Sequence, residues 1–310
     1  MITKSALKKI VDKLRIRKPK YSTKSTTGPE KVHGVEAFSI FKEICIHKKK
    51  YFVRGDSYLG RTGREFEPGL VRLFVAISST LGNGSCLDVG ANIGLTTLLL
   101  SSLYDHVYSF EASPRTSQIL EENLLKNKIR NSSTFQFGLG SENRKLVLTA
   151  ASDDASGGFL SEDLSVELGK HLKEVVDIRK GDDLIMSPEF KTQSPIKFIK
   201  IDVEGHELEV IDGLEQALKE FRPVIALEMN HWCLNAFKRI SIPEFLERLD
   251  EFFSVIFAYD DATTKIINIS YGESSARYHV MYRHIVHSQF PTLVVAQDVN
   301  ILKAICEKLY

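Results

Sequence analysis

The sequence predicts a doubly wound α/β fold, in which helices cover both faces of a largely parallel sheet. Two observations indicate this fold. From about residue 85 onward, short apolar runs alternate with amphipathic segments, and polar residues follow directly after several of the apolar runs. Such alternation is typical of parallel strands joined by right-handed helical crossovers. We expect seven strands, mostly parallel with one antiparallel, preceded by an N-terminal extension.

The first 30 residues read as a basic arm followed by a linker. Nine lysine and arginine residues between Lys4 and Lys24 face a single acidic residue, Asp12. Apolar residues recur at helical spacing in residues 2–16, which is typical of an amphipathic helix that lies on an anionic membrane surface. A helix that frays, or that packs on its own domain, explains the same pattern. Peripheral membrane contact is therefore one interpretation of the arm.

Residues 31–82 are expected to form a β-rich lead-in and a helix that packs on the core. Short apolar runs at Phe38–Ile40, Ile44–Ile46 and Tyr51–Val53 predict strands. Pro68–Thr80 places apolar residues at helical spacing and runs into Gly82-Asn83-Gly84, which is a stop signal.

Residues 83–310 carry the alternating pattern and are predicted to be the catalytic domain. Apolar runs of four to seven residues predict strands, and longer amphipathic segments predict helices. The predicted strands are Ser85–Val89, Val107–Phe110, Thr134–Phe137, Lys197–Ile201, Val224–Glu228, Phe252–Ala258 and Leu293–Ala296; the predicted helices are Leu95–Leu103, Pro114–Asn127 and Glu207–Phe221; and an excursion through Leu146–Leu148 separates the two halves.

Bulk composition excludes several classes of protein. The formal net charge is +1, so no global field favours nucleic acid as the partner. The four cysteines form no CxxC pair, which favours reduced thiols over a zinc site or a disulfide framework. No run approaches the length of a membrane span, and no signal-peptide core is present. We expect a cytoplasmic protein, with the inner membrane surface as the place where the basic arm would act.

The turn after the first strand is a candidate ligand-binding loop. In doubly wound sheets, ligands bind beyond the carboxyl ends of the strands. Gly90 and Gly94 permit a tight turn and close approach of a ligand, and Asp88 lies just before it. Glu111 follows the next strand, where a carboxylate can accept hydrogen bonds from both hydroxyls of a ribose. Enzymes that use NAD and enzymes that use S-adenosylmethionine share this arrangement.

Asn92 distinguishes the two classes of cofactor. A dinucleotide fingerprint has a second glycine two positions after the first, so that pyrophosphate can approach the backbone. Here that position is Asn92. A sulfonium ligand has no pyrophosphate, and its positive charge suits a neighbouring carboxylate. The pattern favours S-adenosylmethionine, with a nicotinamide-dependent oxidoreductase as the alternative enzyme class.

Five segments in strand order resemble the FkbM family of methyltransferases, over about residues 66–300. They are Leu87–Gly94, Phe110–Pro114, Ile199–Glu207, Val210–Leu214 and Pro223–Glu228, of which the Lys-Ile-Asp-Val-Glu-Gly stretch is the most specific. The resemblance implies a seven-stranded class I methyltransferase fold, which is Rossmann-like, and S-adenosylmethionine as the methyl donor. It further implies a hydroxyl of a sugar, glycoconjugate or related natural product as the acceptor. The cofactor-binding residues predicted on this basis are Asp88, Gly90, Ala91, Asn92, Gly94, Glu111 and Asp202.

The sequence departs from the family pattern in two places. Arg179-Lys-Gly-Asp-Asp183 stands where the family often has a Thr-Leu-Asp-Asp type of element, and residues 1–60 carry no family signature. Both departures fall where contacts with the acceptor are expected. They leave the identity of the acceptor open, and a binding module that keeps the fold without the chemistry is a further alternative.

Transfer of a methyl group to an alcohol needs a base that removes the hydroxyl proton. Asp202, Glu204 and His206 follow the fourth core strand and are the predicted catalytic residues. Two alternatives involve no catalysis: Glu204 would stabilise the N-terminus of the following helix through its charge, and His206 would serve only in packing. These three side chains could also bind a divalent metal, although we predict no metal.

Further polar and aromatic residues are candidates for the acceptor site. Glu228, Asn230 and His231 follow the fifth core strand, and Ser152–Gly158 reads as a flexible lid or as a plain solvent-exposed loop. Exposed aromatic rings can stack on a sugar face, although aromatic residues are more often part of the core. The residues in question are Trp232, Tyr271, Tyr278 and Tyr282.

Overall fold

An eight-stranded sheet forms the centre of the computed structural model, which describes residues 38–151, 154–161, 171–187, 190 and 194–309. The predicted basic arm lies outside these residues. From one edge to the other, the strands are β13 (Lys265–Asn268), β12 (Val255–Asp260), β14 (Thr292–Ala296), β11 (Val224–Glu228), β10 (Ile196–Ile201), β3 (Ser85–Val89), β4 (His106–Phe110) and β5 (Ser132–Phe135).

Five neighbouring strands of this sheet, β5, β4, β3, β10 and β11, run parallel to one another. β14 inserts antiparallel between β11 and β12, as expected for one reversed strand. The edge strand β13 pairs antiparallel with β12 and was not predicted. The fold class is therefore confirmed, whereas the predicted number of seven strands is wrong by one. β13 has only four residues, and its short pattern is too weak to be recognised in sequence.

Helices flank the sheet at many of the crossovers. They are α1 (Ser57–Arg61), α2 (Pro68–Leu81), α3 (Leu95–Leu100), α4 (Pro114–Lys126), α5 (Gly181–Ile185), α6 (Glu207–Gly213), α7 (Glu215–Phe221), α8 (His231–Cys233), α9 (Ile242–Phe252), α10 (Ser274–His287) and α11 (Val299–Leu309), with a π-helical turn at Leu234–Lys238. No helix among the described residues is both long and apolar enough to cross a membrane.

Alternating residues of the central strands belong to two hydrophobic clusters, one on each face of the sheet. Cys86 belongs to the cluster that includes Phe74 of α2 and Leu98 of α3. Leu87 belongs to the cluster that includes Phe245 of α9. Successive side chains of a strand point to opposite faces, so this division shows that the sheet is covered on both sides. The doubly wound arrangement holds the carboxyl ends of the parallel strands at one edge.

The predicted helix Glu207–Phe221 is interrupted at Leu214, which separates α6 from α7. A close contact with a distant part of the same chain lies next to this break. A Cβ atom on Gly213 would come 1.9 Å from the carbonyl oxygen of Gly140, so these two backbones approach more closely than any side chain permits. Sequence periodicity alone does not record this long-range contact.

A second sheet of four strands is inserted between β5 and β10. Its order is β6 (Gly138–Gly140), β9 (His171–Lys180), β7 (Arg144–Ala151) and β8 (Asp154–Ser161). β7 pairs antiparallel with both of its neighbours. The sequence indicated only an excursion at Leu146–Leu148. This inserted sheet lies beside the carboxyl edge of the central sheet and contributes residues to the main cleft.

The lead-in is a hairpin of β1 (Ile40–Ile46) and β2 (Lys49–Gly55). Two residues with positive φ, His47 and Lys48, form its turn, which suits the twist of paired strands. The predicted runs Phe38–Ile40 and Ile44–Ile46 are thus not two strands, because β1 extends continuously from Ile40. Asn123 of α4 bonds through its side chain to the backbone of Arg54 and so ties the hairpin to the core.

Candidate active site

The loop after β3 is shaped by close backbone packing. Gly90 has φ of +77°, and a Cβ atom there would lie 1.9 Å from the carbonyl oxygen of Asp202. Asn92 follows in the left-handed region with φ of 49°. Only glycine satisfies both the conformation and the space at position 90. The loop is therefore held against the end of β10, which brings two strand ends into one site.

Glu111 is held at the end of β4 by two backbone amides. Its Oε2 accepts a hydrogen bond from the amide of Asn92 and its Oε1 from the amide of Ser113, each at 2.9 Å. Burial raises the pKa of Glu111 to about 6, although the two amides oppose this shift. The carboxylate is fixed in place, and each oxygen keeps a lone pair for a ligand.

Asp88 lies under the loop and does not line the cleft. Its side chain is fully buried, and Oδ2 accepts a hydrogen bond from the hydroxyl of Thr97 at 2.6 Å. The Nζ atom of Lys200 lies 3.4 Å from Oδ1 of Asp88 and donates to the carbonyl oxygen of Gly90 at 2.7 Å. Asp88 and Lys200 thus support the loop from below.

The main cleft contains many of the predicted site residues. All three predicted catalytic residues line it: Asp202, Glu204 and His206. Of the predicted cofactor residues, Gly90, Asn92, Glu111 and Asp202 line it. Asp88, Ala91 and Gly94 are absent from its lining, and their predicted cofactor roles stay predictions. The sequence did not reveal the lining residues contributed by the lead-in and the inserted sheet, among them Phe38, Leu139, Leu160, Leu172 and Glu174.

Glu204 lies at the acidic end of the cleft. Its Oε2 accepts hydrogen bonds from Nδ2 of Asn230 at 3.0 Å and from Sγ of Cys233 at 3.1 Å. Burial, followed by the negative charge of Asp202, raises the pKa of Glu204 to about 7. A carboxyl group with a pKa near neutrality can accept a proton at physiological pH.

Three carboxylates approach one another at this end of the cleft. Oxygen atoms of Asp202, Glu204 and Glu228 all lie within 4.8 Å of one another. Such a group repels itself unless protons or a positive ligand offset the charge. The sequence had grouped His206 with Asp202 and Glu204 as alternative metal ligands. In the structure, the third side chain beside Asp202 and Glu204 is that of Glu228 and not that of His206.

His206 is held as a neutral imidazole whose Nε2 has no hydrogen-bond partner among the described residues. The ring is 1% exposed, and its Nδ1 lies 2.9 Å from Nζ of Lys238. An ammonium group can only donate, so Nδ1 accepts and the ring proton resides on Nε2. Burial lowers the pKa of His206 to about 4. These contacts suit a donor better than a base; the predicted catalytic role of His206 stays a prediction.

Lys238→Met is expected to change the protonation of His206. In the parent protein the ring should remain the neutral Nε2–H form throughout pH 5–8. Burial remains the main influence in the variant, but loss of the ammonium removes a charge that lowers the His206 pKa and leaves Glu209, which raises it. The His206 pKa should therefore rise, and ¹⁵N NMR of the imidazole nitrogens measures this. Lys219→Met removes an exposed lysine of α7 and is the matched control. An unchanged His206 titration in Lys238→Met contradicts the assigned contact between Lys238 and His206.

The strand β8 forms part of the cleft wall and is anchored from outside. Gly158 and Leu160 line the cleft, whereas Phe159 between them stacks on Phe237 with ring centroids 3.8 Å apart. Trp232 meets Phe237 edge-on at 5.1 Å. The predicted lid Ser152–Gly158 falls partly outside the described residues, and its lid function stays a prediction. The four aromatic residues predicted to stack on a sugar are exposed but do not line the cleft: Trp232, Tyr271, Tyr278 and Tyr282.

Comparison with known proteins decides the family. The model of the methyltransferase FkbM domain matches residues 88–259, which is more than half of the chain. The chain belongs to the FkbM methyltransferase family. The matched segment contains the loop after β3, Glu111 and the acidic end of the cleft. Membership in the FkbM family favours methyl transfer over the nicotinamide-dependent alternative.

Individual relatives match this chain over part of its length. It is 33% identical over 141 residues to the hexuronic acid methyltransferase AglP of Haloferax volcanii, covering 44% of this chain and 53% of AglP. It is 27% identical over 145 residues to Methyltransferase 1 of Beauveria bassiana, covering 42% of this chain and 57% of that protein. The chain thus spans little more than half the length of these relatives. A solved structure of methyltransferase FkbM from Methylobacillus flagellatus is 15% identical, with a TM-score of 0.41 over 69% of this chain and 43% of that one.

Proposed function

We propose that this protein transfers the methyl group of S-adenosylmethionine to a hydroxyl group of a sugar, glycoconjugate or related natural product. One observation carries the proposal: a single cleft joins the amide-held carboxylate of Glu111 to the acidic group at Asp202 and Glu204. The first is suited to a ribose and the second to a positive sulfonium and an ionising hydroxyl.

The residues of the cleft fit the cofactor. Glu111 would accept hydrogen bonds from the two ribose hydroxyls, and Gly90 would let the ligand approach the backbone. Oδ1 of Asn92 is buried and has no hydrogen-bond partner among the described residues, so a ligand donor would satisfy it. Asp202 would attract the positive amino group. When bound, S-adenosylmethionine supplies an electrophilic methyl group.

Glu204 is the proposed proton acceptor. Its second oxygen, Oε1, makes no hydrogen bond within the described residues, while Asn230 and Cys233 orient the group through Oε2. Glu204 would take up the hydroxyl proton of the acceptor, and bound S-adenosylmethionine would supply the methyl group. General-base catalysis of this kind contributes about 10²–10⁴-fold to rate.

A carbohydrate acceptor is supported by the similarity to AglP, whose name states a hexuronic acid as its substrate. The partner we propose is therefore a small molecule or a glycan. A protein that kept the fold without the chemistry would bind the cofactor product and transfer nothing.

Calorimetric titration with S-adenosylhomocysteine and with NAD, followed by radiolabelled methyl transfer to a panel of glycosides, tests the proposal. We expect micromolar binding of S-adenosylhomocysteine, no binding of NAD, and label in at least one glycoside as an ether that resists mild base. Binding without transfer to any alcohol would favour the binding module. Failure of S-adenosylhomocysteine to bind would contradict the proposed cofactor.

A further inference from the structure

A second cavity shares the lining residue Asp202 with the cofactor cleft. Its volume is about 250 Å³, and Asp202 lines both spaces. A group bound in this cavity would therefore lie beside the reacting end of the cleft. The other lining residues are Glu67, Leu70, Phe74, Lys200, Ile201, Ala226, Leu227, Glu228, Asp261, Pro291 and Thr292.

Carboxyl groups outnumber cations in this lining. Glu67, Glu228 and Asp261 join Asp202, and Lys200 is the single cation among the described lining residues. Lys200 is already engaged, because its ammonium contacts Asp88 and Asp202 and donates to the carbonyl oxygen of Gly90. Lys200 thus offsets Asp202, and ionised Glu67 and Asp261 leave the cavity with an excess of negative charge.

Glu228 gives the clearest sign that a ligand is needed here. Its Oε2 exposes less than 1 Å² and has no hydrogen-bond partner among the described residues. Burial, then the charge of Asp202, raises the pKa of Glu228 well above its ordinary value. A buried polar atom left unpaired is costly, so a donor from a bound molecule would stabilise it.

The carboxyl groups of Glu67 and Asp261 also have raised pKa values. Burial raises the pKa of Glu67, with the charge of Asp202 as the next cause, and burial raises the pKa of Asp261 to about 6. Leu70 and Phe74 add apolar surface to the lining of the cavity. An apolar wall beside several carboxyl groups matches a sugar ring, which has apolar C–H faces and donor hydroxyls at its edge.

We propose that this acidic cavity, lined by Glu67, Asp202, Glu228 and Asp261, is the acceptor subsite and that it selects neutral or positively charged sugars against uronates and other anions. This inference rests on the proposed function and narrows its substrate class. A carboxylate on the acceptor would face like charges in a desolvated space, whereas hydroxyl or ammonium groups would donate to them. The expected preference thus differs from the substrate that the name of AglP states.

Binding of three methyl glycosides that differ at one substituent tests the inference. Methyl glucoside, methyl glucosaminide and methyl glucuronide would each be titrated into full-length protein saturated with S-adenosylhomocysteine, and amide and side-chain shifts followed by NMR. We expect the neutral and cationic glycosides to perturb residues of the acidic cavity, with affinity at least about tenfold above that of the glucuronide. Tighter binding of the glucuronide, or no perturbation of the cavity by any of the three, overturns the inference.

Two variants locate the effect. At pH 8, Glu67→Gln and Asp261→Asn should each reduce the ratio of glucoside to glucuronide affinity by several-fold, because each removes one negative charge from the cavity. Glu247→Gln, a change at an exposed carboxylate of α9, is the matched control and should leave the discrimination unchanged. If neither cavity variant alters the ratio, the inference fails. Loss of S-adenosylhomocysteine binding in the parent protein would instead count against the proposed function, so the two failures are distinct.

Discussion

Glu111→Gln is expected to weaken binding of S-adenosylhomocysteine about 100-fold or more at pH 8. The carboxylate would hold two ribose hydroxyls, and hydrogen bonds to a charged group contribute about 1.5–3 kcal/mol each. Glutamine keeps only one acceptor oxygen, and its NH₂ group would face an amide donor from Asn92 or Ser113. Calorimetry at several protein concentrations measures the change in Kd.

The same prediction has a pH dependence. Because burial raises the pKa of Glu111 to about 6, the group is ionised above that pH and becomes protonated below it. Affinity of the parent protein should therefore fall as the pH drops through about 6, whereas the variant should show a flatter profile. Glu121→Gln, a change at an exposed carboxylate of the following helix α4, is the control and should bind normally. Equal affinities for Glu111→Gln and the parent protein would exclude the assigned ribose contact.

Glu204→Gln is expected to lower kcat by about 10²–10⁴-fold while leaving the affinity for S-adenosylhomocysteine nearly unchanged. Glutamine preserves the size of the side chain but cannot take up the hydroxyl proton. Since burial and the charge of Asp202 raise the pKa of Glu204 to about 7, the parent rate should rise as the pH increases through about 7. The variant should lack this rise. Single-turnover methyl transfer with the best glycoside measures both quantities.

The surroundings of Glu204 decide how this titration is interpreted. The negative charge of Asp202 raises the pKa of Glu204, and the positive charge of Lys200 lowers it. The carboxyl group of Glu228 lies close by, and Asn230 and Cys233 donate hydrogen bonds to Oε2 of Glu204. Asn230→Ala is the useful companion, because it removes a donor and keeps the carboxylate. It should shift the pH profile upward and retain most of the rate at high pH. A full rate in Glu204→Gln would assign proton removal to another group.

The sequence predicted the parts of the site that local patterns encode. Gly90, Asn92 and Glu111 follow directly after short apolar runs, so their place at the carboxyl edge follows from strand geometry alone. Asp202 and Glu204 were identified in the same way. The class of fold followed from the alternation of strands and helices. Within the central sheet, the short edge strand β13 was the one strand that this pattern did not predict.

Long-range pairing determines what the sequence did not reveal. The inserted sheet depends on the register between β7, β8 and β9, and local periodicity does not specify that register. The inward role of Asp88 depends on Thr97 and Lys200, which lie 9 and 112 residues away along the chain (97 − 88 and 200 − 88). The placement of the His206 ring proton on Nε2 likewise depends on Lys238 from the π-helical turn.

The chain carries one tryptophan, and its position gives the protein a built-in optical reporter. Trp232 is 62% exposed, contacts the ring of Phe237, and lies between Asn230 and Cys233, the two donors to Glu204. Through Phe237 and Phe159 it is also coupled to the cleft wall at β8. Its emission therefore originates from one place only, beside both the acidic end and the β8 wall of the cleft. Ligand binding in the cleft can be followed by fluorescence without attaching a dye.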